Sequence, residues 1–390
     1  MPLMEKAARR AWLEPVLVFV VVLGVYVAAT PRTNTAYRHF VYMAQAFLEG
    51  RVDLRNLPAH YHDIIRIGDR VYAPFPPVPA ILLMPVVAVA GEGADQGRIG
   101  QALAAVAAAV LAVALRRMGF PPAVRLFCTA ALAFGSVLWP AAAIGTTWFF
   151  AQVVVVLAMT MLVLELAGRA RPVVVGAVLA AAWLTRLSVL PAVPAVAVLL
   201  WFRHRKLGAL VPFALASAAG MAVYLAYNVL RFGDPLQTGY GLLSMALWSE
   251  ETVARWGFFS VRFVPEHLTA MFLRLPDLIP NPPYLRPSPW GMALWITSPV
   301  IVRLLFTRAD RRVWFPWAVV ILSMLVPMLF YFSAGWVQYG YRYSLDWWVP
   351  VLVLLAGALC GRPRPSDWAL LAAAIAVNGL GVYWVRALGW

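Results

Sequence analysis

Pro15-Val-Leu-Val-Phe-Val-Val-Val-Leu-Gly-Val-Tyr-Val-Ala-Ala-Thr30 carries no charged side chain along its length. A backbone can enter lipid over such a stretch only with its own amides hydrogen-bonded to one another, that is, as a helix. The run follows the basic Lys6-Ala-Ala-Arg-Arg10 and has no small-residue cleavage site before the polar residues beyond it. It therefore reads as an uncleaved first membrane helix beginning near Trp12.

Comparable runs recur along the chain. Of its 390 residues 63% are hydrophobic and 13% charged, and the mean hydropathy is +0.77. That is too little polar surface to cover a water-soluble body of this size, so lipid is the missing solvent. Two long polar interruptions, residues 31–76 and 231–287, divide what is otherwise one membrane domain spanning residues 1–390. The expected fold class is all-α and polytopic, with about eleven crossings. They begin near Trp12, Ile99, Pro122, Thr147, Pro172, Val189, Leu207, Pro289, Trp314, Leu345 and Asp367.

The net charge of +15 does not point to nucleic acid, because the basic residues sit in short clusters at helix ends rather than along one face. More than half fall in six such clusters: Lys6/Arg9/Arg10, Arg116/Arg117/Arg125, Arg169/Arg171, Arg203/Arg205/Lys206, Arg303/Arg308/Arg311/Arg312 and Arg362/Arg364. Basic ends mark the cytoplasmic side, which puts the N-terminus inside and both long loops outside. Lys6 and Lys206 are the sole lysines, a bias that fits a GC-rich bacterial genome and so a bacterial cytoplasmic membrane. Cys128 and Cys360 fall in or at the end of apolar runs, which supports neither a disulfide framework nor a Cys/His metal spacing.

Helix parity then allows one crossing between residues 76 and 116, although two apolar stretches lie there. The first, residues 75–90, is short and rich in proline, and is expected to dip into the membrane or lie along its outer face; if it crosses, the count becomes twelve. Residues 172–203 barely suffice for two crossings, so the helices around Pro191 should be short and line a cavity. In the first loop, residues 36–48 predict an amphipathic helix on the membrane surface. Residues 64–72 predict a hairpin around Gly68-Asp69, and residues 264–273 a second surface helix.

Most of the 17 acidic residues fall on the outer side of this topology. A carboxylate can take a proton from a hydroxyl, and arginine can hold a phosphate by paired hydrogen bonds, so the mixture suits transfer from a phosphorylated lipid. For any one Asp or Arg the commoner reading is a solvated loop surface. Arg342 and Asp346 stand one helical turn apart at the mouth of a membrane helix: either a functional charge at membrane depth or an i,i+4 pair anchoring the helix end. The surrounding aromatics and amide, Trp336, Gln338, Tyr341 and Tyr343, offer a clamp for a sugar or lipid head group, as does Tyr240 in the second loop. Arg186, inside an apolar helix, either binds phosphate or hydrogen-bonds carbonyls freed before Pro191. His60-Tyr-His62-Asp63 is too sparse to assign a metal, and neither a phosphate-binding glycine loop nor a Ser-His-Asp signature occurs.

Four segments in order resemble the GT-C membrane glycosyltransferases. They are Tyr37-Arg-His-Phe-Val-Tyr-Met-Ala44, Glu49-Gly-Arg-Val-Asp-Leu54, Tyr72-Ala-Pro-Phe-Pro-Pro-Val-Pro-Ala-Ile-Leu-Leu-Met-Pro85 and Gly340-Tyr-Arg-Tyr-Ser-Leu-Asp-Trp-Trp-Val-Pro350. The resemblance, to the protein O-mannosyltransferase and aminoarabinose transferase kind, implies transfer of a sugar from a polyprenyl-phosphate donor to a glycan, lipid or protein acceptor on the outer face. It implies an acidic base in the first outer loop and no required cofactor, with metal use left open. Many such enzymes carry a carboxylate just before the surface helix, where this chain has Thr33-Asn-Thr-Ala36. The base then falls to Asp63, which lies near Arg66 and Arg70 in the sequence, next to Asp53, or to His39. Arg342 with Arg66, Arg70 or Arg186 would hold the departing phosphate. A transporter of lipid-linked sugars, or an enzyme of the O-antigen ligase or polymerase kind, is the competing expectation; no internal repeat of the transporter type is evident.

Overall fold

The computed structural model describes residues 2–30, 35–243, 247–306 and 311–388, the side chains of 2–11, 247–248 and 311–313 excepted. Thr33 and Asn34, where the resemblance expects a carboxylate, lie outside the described residues, as do Arg308 and the side chains of Lys6, Arg9, Arg10, Arg311 and Arg312.

The regular secondary structure is almost wholly helical, with two short antiparallel ribbons among the described residues. The opening apolar run forms most of α1 (Pro2–Ala29), whose window from Trp12 to Ala29 is only 17% buried. After it come α2 (His39–Leu48), the antiparallel hairpin β1 (Ile65–Ile67) and β2 (Arg70–Tyr72), and α3 (Val78–Ala90). The hairpin pairs Ile65 with Tyr72 and closes at Gly68-Asp69, as the turn chemistry of that dipeptide favours. Asp95 caps α4 (Gln96–Arg117), its carboxylate accepting the Arg98 backbone N–H at 2.9 Å. Next are α5 (Pro122–Ala133) and α6 (Leu138–Ile144), a pair bent by 40°, then α7 (Thr147–Leu166), α8 (Pro172–Trp183), α9 (Ala192–His204) and α10 (Leu210–Phe232). The second loop holds α11 (Leu247–Trp256), α12 (Val264–Leu268) with its π-helical continuation Thr269–Leu273, and the short ribbon β3 (Asp277–Leu278) and β4 (Leu285–Arg286). The chain closes with α13 (Leu294–Thr297), a 3-10 segment Pro299–Phe306, α14 (Arg311–Leu329), α15 (Leu345–Ala358) and α16 (Pro365–Leu388).

Among the described residues five helices are long and apolar enough to cross a membrane, or six if the α5/α6 pair is one span. The other expected crossings fall on shorter elements. α8 has 12 residues and α9 has 13, about 20 Å at 1.5 Å per residue, against a hydrocarbon core of about 30 Å. α15 has 14 residues, and near Pro289 there is only the four-residue α13 followed by the 3-10 segment. Proline fixes where several of them begin, Pro172 opening α8, Pro191 preceding α9 and Pro299 opening the 3-10 segment. α3, 13 residues long, packs chiefly on α2.

α7 is the axis of the bundle. Apolar on every side, it is 83% buried between α4, α8 and α15, as expected of a helix without a polar face. α8 and α10 approach closely because Gly176 opposes Phe213, where a Cβ would stand 2.7 Å from the Phe213 carbonyl oxygen.

The two ends of the bundle differ in charge. At one, arginines and a histidine hydrogen-bond carbonyls at helix C-termini, where the helix dipole favours cations. Arg203 reaches the Gly168 carbonyl at 3.4 Å and His204 that of Ala170 at 2.8 Å. Arg125 pairs there with Glu14 at 2.8 Å, and Arg303, Arg362 and Arg364 share a cleft with Ala123 of α5. The first residues of α7 and α15, which run away from the opposite end, meet the long loops.

Candidate functional site

The site at the loop end begins with α2. Expected on the membrane surface, this helix is instead buried at His39, Phe40, Val41, Tyr42, Met43, Ala44 and Ala46. Its few polar residues sit near its ends, and residues 51–75 fold over the remaining face. His39 is the pin: its backbone N–H and Nδ1 both lie 2.9 Å from Thr147 Oγ1, and its Nε2 lies 2.8 Å from the His62 carbonyl. A carbonyl accepts, so Nε2 carries the proton and Nδ1 is the acceptor. Burial pushes its pKa down to about 4. Both ring nitrogens lie within hydrogen-bond distance of protein atoms, Nδ1 sharing the Thr147 hydroxyl with the Tyr37 carbonyl, so the structure gives His39, expected as a candidate base, the part of fixing the backbone next to Asp63.

Asp63 adopts φ 53°, a left-handed conformation that Asp tolerates better than most residues. Its carboxylate Oδ2 accepts the indole N–H of Trp148, the second residue of α7, at 2.8 Å. Burial holds the Asp63 carboxyl above its usual range, opposed by that hydrogen bond and by the nearby charges of His62 and Arg342. Asp63, bound to Trp148, and Arg342, over the ring of Phe149, are 279 positions apart in number yet stand beside neighbouring residues at the start of α7, near enough for each charge to act on the other but with no ion pair between them.

Arg342 stands on a 3-10 turn, Arg342–Ser344, that leads into α15. The preceding turn is held by Gln338, whose side-chain N–H groups donate to the carbonyls of Ala334 at 2.8 Å and Trp290 at 3.2 Å. Gly340 is required there: at φ 66° a Cβ would fall 2.5 Å from Val137 Cγ1. The Arg342 guanidinium lies over the rings of Phe149 at 5.0 Å and Tyr343 at 5.4 Å. Its Nε is buried without a hydrogen-bond partner among the described residues.

Arg186 reaches the same place from the break between α8 and α9. Its Nε donates to Asp346 Oδ1 at 2.8 Å, Ser188 Oγ donates to Asp346 Oδ2 at 2.6 Å, and its guanidinium covers Tyr343 at 5.4 Å. Arg342 and Asp346 are therefore not an i,i+4 pair. The 3-10 turn swings Arg342 toward Asp63, and Asp346 takes its cation from another element. Tyr343 lies between the two guanidinium groups, while Tyr240 and Tyr331 stand within electrostatic reach of Asp63, Arg186 and Tyr343.

The remaining expected site residues lie elsewhere. Asp53 is spent on Arg51 at 3.1 Å and Arg55 at 3.2 Å. Arg66 and Arg70 are exposed on the hairpin, so nearness to Asp63 in sequence does not bring them to its carboxylate. Gln338 is fully buried in its strut role, and Tyr341 is buried with its hydroxyl 2.8 Å from His267 Nδ1; neither presents a surface to a ligand. Trp336, 56% exposed, sits beside Trp290 with ring centroids 6.2 Å apart. Among the described residues no three His, Cys, Asp or Glu gather as a metal would require. Trp148, Ser188 and Tyr331 had no place in the sequence reading. Ser188 had a signal, a hydroxyl two residues beyond Arg186 in a broken helix; Trp148 and Tyr331 had none, since their roles arise from packing between distant segments.

The arrangement sets a half-buried carboxylate and a buried cation at the start of α7 among tyrosine, tryptophan and phenylalanine side chains. Such a set can remove a proton from a hydroxyl, hold an oxyanion and stack on a sugar ring. Comparison with family models, with curated proteins and with solved structures finds no match to this chain.

Proposed function

We propose that the chain is a membrane glycosyltransferase of the GT-C kind, moving a sugar from a polyprenyl-phosphate donor to a hydroxyl acceptor on the outer face of a bacterial cytoplasmic membrane. The observation that carries this reading is that Asp63, from the first loop, and Arg342, from the turn before α15, are both held at the start of α7, Asp63 by the Trp148 indole at 2.8 Å and Arg342 over the Phe149 ring at 5.0 Å. In the reaction Asp63 takes the acceptor proton as the hydroxyl attacks the anomeric carbon. The bond from that carbon to the phosphate oxygen breaks, and Arg342 stabilises the charge gathering on the leaving phosphate. Arg186, paired with Asp346 at 2.8 Å, orients Tyr343. Tyr343, Tyr240 and Tyr331 line the sugar's place.

The accompanying topology has eleven crossings, with α8, α9, α14, α15 and the α13 to 3-10 segment as short members beside the longer spans. In this reading a polyprenyl phosphate enters from the bilayer beside the short α8 and α9.

The test is release of free polyprenyl phosphate by the purified protein given lipid-linked sugar and acceptor. Asp63→Asn is expected to slow it by about 10²–10⁴-fold and Arg342→Gln by about 10²–10³-fold, with both variants keeping the wild-type unfolding temperature. No release by the wild-type protein, combined with movement of the lipid-linked sugar between leaflets that survives Asp63→Asn, would identify a transporter instead.

A further inference from the structure

At the end of the bundle opposite Asp63, a cleft of about 600 Å³ is lined by Arg303, Leu359, Cys360, Arg362, Arg364 and Trp368 among others. Among the described residues its charge is unbalanced. Asp367, at the start of α16 beside it, is buried and already engaged, 3.3 Å from Arg303 Nε through Oδ1 and accepting the Arg364 backbone N–H at 2.7 Å through Oδ2. The guanidinium groups of Arg362 and Arg364 have no carboxylate partner among the described residues. Two cations at the mouth of a cleft, beside a third already tethered, suit an anion with several oxygens.

The walls say where that anion comes from. Trp368, 37% exposed, packs edge-on against Phe127 of α5 with centroids 5.3 Å apart, and Leu126 of α5 is 60% exposed. A half-buried tryptophan beside an outward-facing leucine at a helix end is where head groups meet acyl chains. Basic recesses between membrane helices on the arginine-rich side take phospholipid head groups.

We propose that this cleft binds the phosphate of an anionic membrane phospholipid, held by Arg362 and Arg364, with its acyl chains along the α5 and α16 surfaces. The site is separate from the Asp63 and Arg342 cluster and does not depend on the activity assigned to it.

Cys360 makes the proposal measurable, because it is exposed within the cleft while Cys128 is buried. The full chain in nanodiscs of phosphatidylcholine, with or without phosphatidylglycerol, is treated with a neutral maleimide and the rate of Cys360 alkylation recorded. Phosphatidylglycerol is expected to slow alkylation several-fold in the wild-type protein and to have no effect in the Arg362→Gln/Arg364→Gln double variant, which changes only exposed side chains. Equal rates with and without phosphatidylglycerol in the wild-type protein would overturn the proposal. So would slowing that persists in the double variant, since a general surface-potential effect on the thiol acts on both alike. Slowing by inorganic phosphate in pure phosphatidylcholine, as large as that by phosphatidylglycerol, would make the ligand a soluble anion and overturn the lipid assignment.

Discussion

Asp63 is a carboxylate with opposing influences on its proton: burial favours the acid, while the Trp148 N–H at 2.8 Å and the charge of Arg342 favour the anion. A base works only when ionised, so the acid limb of a transferase pH profile should lie above the ordinary aspartate range near 4. Trp148→Phe removes a donor to the anion and keeps an aromatic ring, so the limb should move to higher pH while activity at its plateau falls less than in Asp63→Asn. An unmoved limb in a pH–rate series would detach Asp63 from the proton transfer. His39 titrates with a different consequence. Its folded pKa of about 4 lies below the ordinary value near 6.5, so between these pH values the unfolded chain binds the extra proton. Its contribution to stability is full above about 6.5 and is lost as pH falls toward 4, with a slope of at most about 1.4 kcal/mol per pH unit. Thermal unfolding across that window should show a weaker acid dependence in His39→Asn than in the wild-type protein. These details were only partly legible in the sequence. Arg342 and Asp63 stand out there as charges in unusual surroundings, but the i,i+4 spacing of Arg342 and Asp346 suggests a local pair, and it takes the 3-10 turn to send them to different partners.

The elements that aim these side chains are short helices and breaks rather than long spans. Arg186 and Ser188 reach Asp346 because α8 stops at Trp183 and the chain passes through a 3-10 turn, Leu187–Val189, before α9. The position of α8 rests on its close approach to α10. Gly176→Val would set a Cβ 2.7 Å from the Phe213 carbonyl oxygen, so α8 must shift or the helices must part. The expected cost is about 1–3 kcal/mol, seen as a lower unfolding temperature in detergent together with reduced transfer, because Arg186 lies three residues beyond the end of α8 and is displaced with it. Gly24→Ala in α1, with nothing within 4 Å of the added carbon, should leave the unfolding temperature unchanged or raise it by the usual helix-propensity gain of about 1 kcal/mol. Equal effects of the two substitutions would remove the packing argument. At this scale the sequence carried much of the answer. Gly68-Asp69 between alternating residues marked the hairpin, and the prolines around residues 74–85 and 191 marked short helices. The burial of α2 was hidden because a helix with few polar residues looks the same whether lipid or a folded loop covers it. The irregular chain after Pro289 was hidden because apolar composition reports the solvent and not the hydrogen-bonding pattern of the backbone.

For the whole molecule, the polarity of the bundle is the property on which the proposed transfer at the outer face depends. Arginines cap helix C-termini at one end, while Asp63, Arg342 and Arg186 gather at the other, and α15 alone, at 14 residues, holds its two termini about 20 Å apart. If the basic end faces the cytoplasm, as the charge bias of membrane helices requires, the two ends must be reachable from different compartments. The protein carries its own reporter: Cys360 is exposed at the basic end and Cys128 is buried. A charged, membrane-impermeant thiol reagent should therefore label the wild-type protein in inverted vesicles and not in intact spheroplasts. In a Cys360→Ser background, Arg66→Cys on the exposed hairpin should reverse that pattern. Labelling of both positions from the same side would mean that the bundle does not separate its ends across the bilayer. Asp63 and Arg342 would still form a buried site in that case, but one supplied from the cytoplasm, where a soluble nucleotide-linked donor rather than an outward-facing lipid phosphate would be the reactant to try.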